Sequence, residues 1–161
     1  MEISGKQKIT PCLWFDTNAE EAVNFYLSVF TDSKITGIAR YGDGAPMPAG
    51  TVLTISFTIK GSEFVALNGG PQFKFTEAIS LVVNCDTQEE INNYWEKLTA
   101  GGSEQMCGWL KDKYGLSWQI VPSVLNNLMH DKDQKRSQRV MTELLKMVKL
   151  DIKILEEAYN G

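Results

Sequence analysis

The strongest constraint on the fold of this chain is an internal repeat. Residues 18–26 read NAEEAVNFY and residues 87–95 read TQEEINNYW, and the two segments align without a gap at an offset of 69. In each copy a residue that can cap a helix precedes two glutamates and a pair of aromatic residues at helical spacing. A repeat of this kind indicates two similar structural units, neither of which completes its core alone.

Each repeat is predicted to be a β-α-β-β-β module. The first module spans about residues 8–70, and the apolar run ITPCLWF at residues 9–15 is its opening strand. The second module, about residues 77–121, repeats the order without the Gly- and Pro-rich loop GDGAPMPAG. The predicted fold class is therefore α+β. Two tandem modules form a half-open barrel with a concave cup, within a single domain of residues 1–161.

The chain after the second module is predicted to be helical, over about residues 123–159. Six apolar residues in its second half are spaced by four and three, which is typical of one amphipathic helix. They are Val140, Leu144, Val148, Ile152, Leu155 and Tyr159. An apolar stripe needs a cover, and either the same domain or a second subunit can provide it.

Composition argues against several classes of partner and location. The net charge of -4 and the sequence pI near 5.1 leave no broad basic surface for nucleic acid. No apolar run approaches the roughly 18 residues that a membrane span needs. Cys12, Cys85 and Cys107 form no CxxC pair, which favours reduced thiols. We expect a cytoplasmic protein that has neither a nucleic-acid nor a membrane partner.

Four ordered segments carry a resemblance to a known family. They are TPCLWFDTNAEEAVNFYLSVF, FVALNGGPQFKF, CGWLKDKYGLSWQIVP and RVMTELLKMVKLDIKILEEAYNG. Together they resemble the PhnB-like family, also called 3-demethylubiquinone-9 3-methyltransferase-like, over essentially the whole chain. This family is part of the vicinal oxygen chelate superfamily of glyoxalase I, extradiol dioxygenases and bleomycin- and fosfomycin-resistance proteins. The resemblance implies the glyoxalase/bleomycin resistance/dihydroxybiphenyl dioxygenase fold and a homodimer.

The resemblance also implies where a superfamily metal would bind, near Pro11, Phe64, Ser80 and Gln119. Of these side chains only the Gln119 amide could coordinate a metal, and one neutral oxygen is a poor anchor. We therefore expect no catalytic metal and no other cofactor. Neither strand-to-helix turn contains the Gly-rich sequence on which the usual S-adenosylmethionine enzymes hold their cofactor. We do not expect the methyltransferase name to describe the activity.

The cup is predicted to be lined by Phe15, Phe64, Asn68, Gly69, Cys107, Trp109, Ser117 and Gln119. Asn68 either offers its amide to a ligand or closes a turn. Gln119 either projects among apolar walls or bonds to a neighbouring strand. Alternation along the opening strand predicts that Trp14 faces the helix and Phe15 faces the cup.

No catalytic residue is assigned from the sequence. Cys107 lacks a His to activate it, because the only histidine, His130, follows the second module. The leading hypothesis is a metal-independent protein that binds an unidentified small molecule. The alternative is a metal-dependent lyase, isomerase or oxygenase of glyoxalase or dioxygenase type that acts on a small metabolite. A third hypothesis is a regulatory protein that acts through its dimer surface.

Overall fold

The computed structural model describes residues 7–161. The chain divides between Lys74 and Phe75 into two compact units, and each unit contains one four-stranded mixed sheet. Both sheets have parallel and antiparallel pairs, and each carries a helix between its first and second strands. The α+β class and the repeated β-α-β-β-β order are therefore confirmed.

The first unit has the predicted order of elements. Its strands and helix are β1 (Cys12–Phe15), α1 (Ala19–Val29), β2 (Ser33–Arg40), β3 (Val52–Ile59) and β4 (Ser62–Asn68). The strands lie in the order β1-β4-β3-β2, with β1 parallel to β4 and the other pairs antiparallel. The return of β4 to the side of β1 brings the two ends of the unit together.

Helix α1 packs against one face of the first sheet, and the opposite side is called the far face below. Register places Leu13, Ala66 and Ile55 side by side on three neighbouring strands, and all three are buried. The buried residues of α1 that complete this core are Ala19, Ala22, Val23, Tyr26 and Val29. Burial of this apolar surface is the main stabilising contribution of the unit.

The second unit repeats this arrangement in shorter elements. They are β5 (Ser80–Cys85), α2 (Gln88–Thr99), β6 (Ser103–Glu104), β7 (Trp109–Lys111) and β8 (Ser117–Pro122). The strand order is β5-β8-β7-β6, which corresponds to that of the first sheet. The buried apolar residues between α2 and this sheet are Ile91, Tyr94, Trp95, Leu98, Leu110, Trp118 and Ile120.

The start of α2 is capped as its sequence predicts. Thr87 Oγ1 accepts a hydrogen bond from Glu90 N at 3.2 Å. The Glu90 carboxylate in turn accepts one from Asp86 N at 2.7 Å. Two N–H groups near the start of the helix thus gain partners, which lowers the free-energy cost of beginning the helix at this position.

The tail forms three helices, and the prediction of one continuous helix through residues 140–159 is wrong. They are α3 (Leu125–Met129), α4 (Gln134–Leu144) and α5 (Ile152–Asn160). Helix α5 starts where it does because Asp151 Oδ1 accepts a hydrogen bond from Ile154 N at 3.1 Å.

The segment between α4 and α5 is pinned to the loop before β7. Cys107 N donates to Met147 O at 2.7 Å, and Gly108 N donates to Val148 O at 2.8 Å. These bonds occupy carbonyl groups that a continuous helix would use internally. Val140 and Leu155 of the apolar stripe are buried in a cluster with Leu128 and Leu150, and Leu144 and Tyr159 pack against this cluster.

Candidate functional site

Three of the side chains predicted to line the cup lie on the α1 side of the first sheet. Phe15 is only 3% exposed, and it pairs in register with Asn68. Phe64 stacks on Phe57 with ring centroids 5.5 Å apart. The expected orientation of the opening strand is therefore corrected: Phe15 faces the helix and Trp14 lies on the far face. Phe15, Phe64 and Asn68 therefore do not line the far face of this sheet.

Asn68 holds the start of α1 in place. Its Oδ1 accepts from Ala19 N at 2.9 Å, and its Nδ2 donates to Val52 O at 3.0 Å. Asn18, the expected cap, makes no side-chain cap hydrogen bond. Since both ends of the buried Asn68 amide are used, neither of the two alternatives drawn from the sequence describes it: Asn68 joins a strand end to a helix start.

Gly69 provides space for the indole of Trp14. A Cβ at Gly69 would lie 2.3 Å from the Trp14 ring, so any other residue would displace the indole. The indole N–H donates to Gly70 O at 2.9 Å. Phe73 meets the ring edge-on, with centroids 4.9 Å apart, and is itself 62% exposed. The far face of the first sheet therefore carries an aromatic pair at the end of β4.

The far face of the second sheet brings together three predicted residues. Trp109 pairs in register with Gln119. Ser117 lies two residues before Gln119 in β8, and its side chain is therefore on the same face. Gln119 Nε2 donates to the hydroxyl of Ser80 on β5 at 2.9 Å. Gln119 thus lies on the face away from α2, which is the far face of this sheet, and it also bonds to the neighbouring strand β5. Both alternatives drawn from the sequence, a side chain on the cup face and a bond to a neighbouring strand, therefore describe it in part.

Ser117 is the least satisfied member of this group. It is fully buried, and its Oγ has no hydrogen-bond partner among the described residues. A buried hydroxyl without a partner costs about 1–3 kcal/mol of stability. Native proteins leave few such groups, and each one needs a physical explanation.

An ion pair lies beside Ser117 that the sequence did not indicate. Lys111, the cross-strand neighbour of Ser117, places its Nζ 2.6 Å from a Glu77 carboxylate oxygen. The hydrogen bond from Lys111, followed by bonds from the backbone of Glu77 and from Gln105, lowers the pKa of Glu77 below its usual 4.5. The sequence did contain one signal for Lys111: alternation along β7 places its side chain on the same face as Trp109.

The cysteines show no sign of an activated nucleophile. Burial, followed by the charges of Glu90 and Asp86, raises the pKa of Cys85 to about 12. Burial also raises the pKa of Cys12. Cys107 is half-buried at φ 62°, in the loop that holds the tail. All three are free thiols. The raised pKa values of Cys12 and Cys85 make these two thiols poor nucleophiles at neutral pH.

The residues at the implied metal positions do not fit a superfamily metal. Within residues 7–161, no three His, Cys, Asp or Glu side chains come together so that they could hold an ion. Phe64 is in the α1 core, and Ser80 and Gln119 offer only a hydroxyl and a neutral amide bonded to each other. Divalent transition metals favour imidazole, thiolate or carboxylate ligands.

Comparison with known proteins identifies the family. A family model described as 3-demethylubiquinone-9 3-methyltransferase matches residues 7–121. The solved structure of the PhnB protein from Bacillus cereus is 43% identical, covering 72% of this chain and 99% of that chain with a TM-score of 0.67. The chain belongs to the 3-demethylubiquinone-9 3-methyltransferase family. The predicted resemblance to PhnB-like proteins is thereby confirmed.

More distant structures share the fold of this family. Protein PA1353 from Pseudomonas aeruginosa is 22% identical, with a TM-score of 0.60 and coverage of 73% of this chain and 98% of that chain. The fosfomycin resistance protein FosX from Mesorhizobium loti is 10% identical, with a TM-score of 0.51 and coverage of 72% and 90%. At these identities the likeness concerns the fold alone. Comparison with curated proteins gives no significant match.

The family model ends at residue 121, just inside β8. Helices α3, α4 and α5 therefore lie outside the matched region, although the tail contributed to the resemblance in the sequence. The far face of the second sheet lies within it. The candidate site is thus part of the family domain, and the tail is an addition to that domain.

Proposed function

We propose that this family member binds a small molecule on the far face of its second sheet, without a catalytic metal. The observation that supports the proposal most directly is the buried, unpartnered hydroxyl of Ser117 beside Gln119 and Trp109. Proteins keep unfavourable polar groups mainly where function uses them. An aromatic ring next to a few polar groups is also the usual composition of a small-molecule site.

The chemistry of the turns argues against methyl transfer. The connections from β1 to α1 and from β5 to α2 read Asp16-Thr17-Asn18 and Asp86-Thr87, without a glycine. A Gly-rich turn lets the backbone approach a bound nucleotide group closely. We therefore propose binding, and not transfer of a methyl group, for this protein.

Its assembly and location belong to the same proposal. The family resemblance favours a homodimer, and the free thiols favour the cytoplasm. Among the helices of residues 7–161, none is both long enough and apolar enough to cross a bilayer. The acidic charge balance favours a small-molecule partner over nucleic acid.

A thermal-shift screen of aromatic and apolar metabolites, followed by native mass spectrometry of the hits, tests the proposal. A ligand at one hundred times its Kd stabilises the folded protein by about 2.7 kcal/mol, which raises Tm measurably. We expect at least one compound to raise Tm and to bind with defined stoichiometry. A library that stabilises nothing would contradict the proposal.

Metal analysis tests the second part of the proposal. Protein purified without chelator is expected to contain far less than one equivalent of zinc, iron, nickel or manganese. Stoichiometric metal would instead favour the alternative, a metal-dependent lyase, isomerase or oxygenase. A chelator-treated sample that binds its ligand unchanged would support the metal-independent reading.

A further inference from the structure

The candidate site on the second sheet is built around the central strand β8. Its far-face residues Ser117 and Gln119 each have a neighbour on both sides. Val82 and Trp109 flank Gln119 in register, whereas Ser80 and Lys111 flank Ser117. The result is a polar patch with an apolar border, and Val82 at that border is 52% exposed.

The hydrogen-bonding groups of this patch are neutral and partly unused. Gln119 spends one N–H on the Ser80 oxygen, so its own carbonyl oxygen and the Ser80 O–H have no partner within the described residues. The Ser117 hydroxyl is also unpartnered. The Gln119 amide and the Ser80 hydroxyl together can donate to a ligand oxygen and accept from a ligand N–H.

The cation beside the patch is already neutralised. Lys111 Nζ lies 2.6 Å from Glu77, whose carboxylate also accepts from Gln105 Nε2 at 3.2 Å. An anionic ligand that sought Lys111 would have to displace Glu77, which charge-assisted hydrogen bonding opposes. A cationic ligand would meet the Lys111 ammonium.

We infer that this patch recognises an uncharged carbonyl or carboxamide group on a ligand whose planar apolar part lies against Trp109. The inference rests on the proposed function and names its ligand class. The carbonyl oxygen accepts from the Ser80 hydroxyl, and a carboxamide N–H donates to the Gln119 oxygen. Glu77 then acts as a specificity-determining residue, because it removes the charge of Lys111 from the site.

Three probes of similar planar shape and different charge test the ligand class: benzamide, benzoate and benzamidine. Titration of each into ¹⁵N-labelled protein, followed by amide chemical shifts, reports both affinity and location. We expect benzamide to shift the resonances of residues 80–82 and 117–119, and to bind at least about tenfold more tightly than the charged probes.

Variants separate recognition from folding. Gln119→Met keeps the shape of the side chain and should weaken benzamide binding about fivefold, the value of a typical hydrogen bond. Gln138→Met, the same change on the exposed surface of α4, is the matched control and should bind as wild type. Ser117→Ala should raise Tm or leave it unchanged, because it removes a buried hydroxyl that lacks a partner.

Glu77→Gln gives a result that a merely structural role would not. It releases Lys111, so benzoate should gain affinity relative to benzamide, by at least about threefold. Equal binding of the three probes, or benzamide shifts that Gln119→Met leaves unchanged, would overturn the inference. If library compounds bind to other residues on the far face of the second sheet, the proposed function survives that result. If no compound binds at all, both fail.

Discussion

At the scale of single residues, Asn68 shows what a sequence leaves open. A polar residue at a strand end suits a ligand, a turn or a cap equally well, because all three use the same donor and acceptor. The choice depends on which backbone groups the fold brings near. Here they are Ala19 N, at the start of a helix 49 positions earlier in the chain, and Val52 O on a neighbouring strand.

Replacement of Asn68 tests this role. Asn68→Ala leaves Ala19 N and Val52 O without their buried partner, so we expect the free energy of unfolding to fall by about 2 kcal/mol. Chemical denaturation measures the change. Asn84→Ala on the exposed side of β5 is the control and should change stability by less than about 0.5 kcal/mol. Equal effects of the two variants would rule out the bridging role.

At the scale of elements, the order of strands and helices was predictable from the sequence. Which side chains of β1 face the helix was not. The repeat was aligned on its helices, whose first residues Ala19 and Gln88 are 69 positions apart. The ends of the opening strands, Phe15 and Cys85, are 70 apart. The turn into α2 is one residue shorter, and a shift of one residue moves every strand side chain to the other face.

The register of the opening strands also shows which residues of the two closing strands, β4 and β8, correspond to each other. Phe15 pairs with Asn68, and Cys85 pairs with Pro122, so β4 and β8 correspond at an offset of 54. Ser117 then corresponds to Glu63, whose Oε2 is likewise buried without a partner. The two units thus keep an unsatisfied polar atom at the same place in the same strand. Only the side-chain environment reveals this, because the residue types differ.

The turn after β4 allows a sharp test of element packing. Gly69→Ala places a methyl group 2.3 Å from the Trp14 ring, which is a steric clash. The indole must therefore move, and its hydrogen bond to Gly70 O must break. Overpacking of this kind costs about 1–3 kcal/mol. Faster hydrogen exchange at the Trp14 indole N–H, measured by NMR, would report the break. Gly42→Ala, where a Cβ meets nothing within 4 Å, should leave that exchange rate unchanged.

At the scale of the whole molecule, the sequence predicted two modules and a helical tail, but one continuous tail helix was wrong. The spacing of apolar residues continues through residues 145–151, yet Asp151 caps a new helix there and Leu150 is fully buried. Periodicity indicates which residues lie on the apolar face of a helix. It does not reveal that backbone bonds from Cys107 and Gly108 interrupt the helix. The tail covers four of the six residues of its apolar stripe within its own unit, so most of the stripe needs no second subunit.

The dimer prediction therefore rests on the family resemblance, and it can be separated from the tail. Light scattering should give about twice the chain mass of 18.0 kDa. Four apolar tail residues stay partly exposed: Met141, Leu145, Val148 and Ile154. Leu145 and Val148, at 58% and 37%, lie together between α4 and α5. Because the buried tail cluster is complete without them, the double variant Leu145→Ser, Val148→Ser should keep the dimer mass. Loss of the dimer in that variant would assign the interface to the tail. A mass near 18.0 kDa for the wild type at every concentration would contradict the dimer itself.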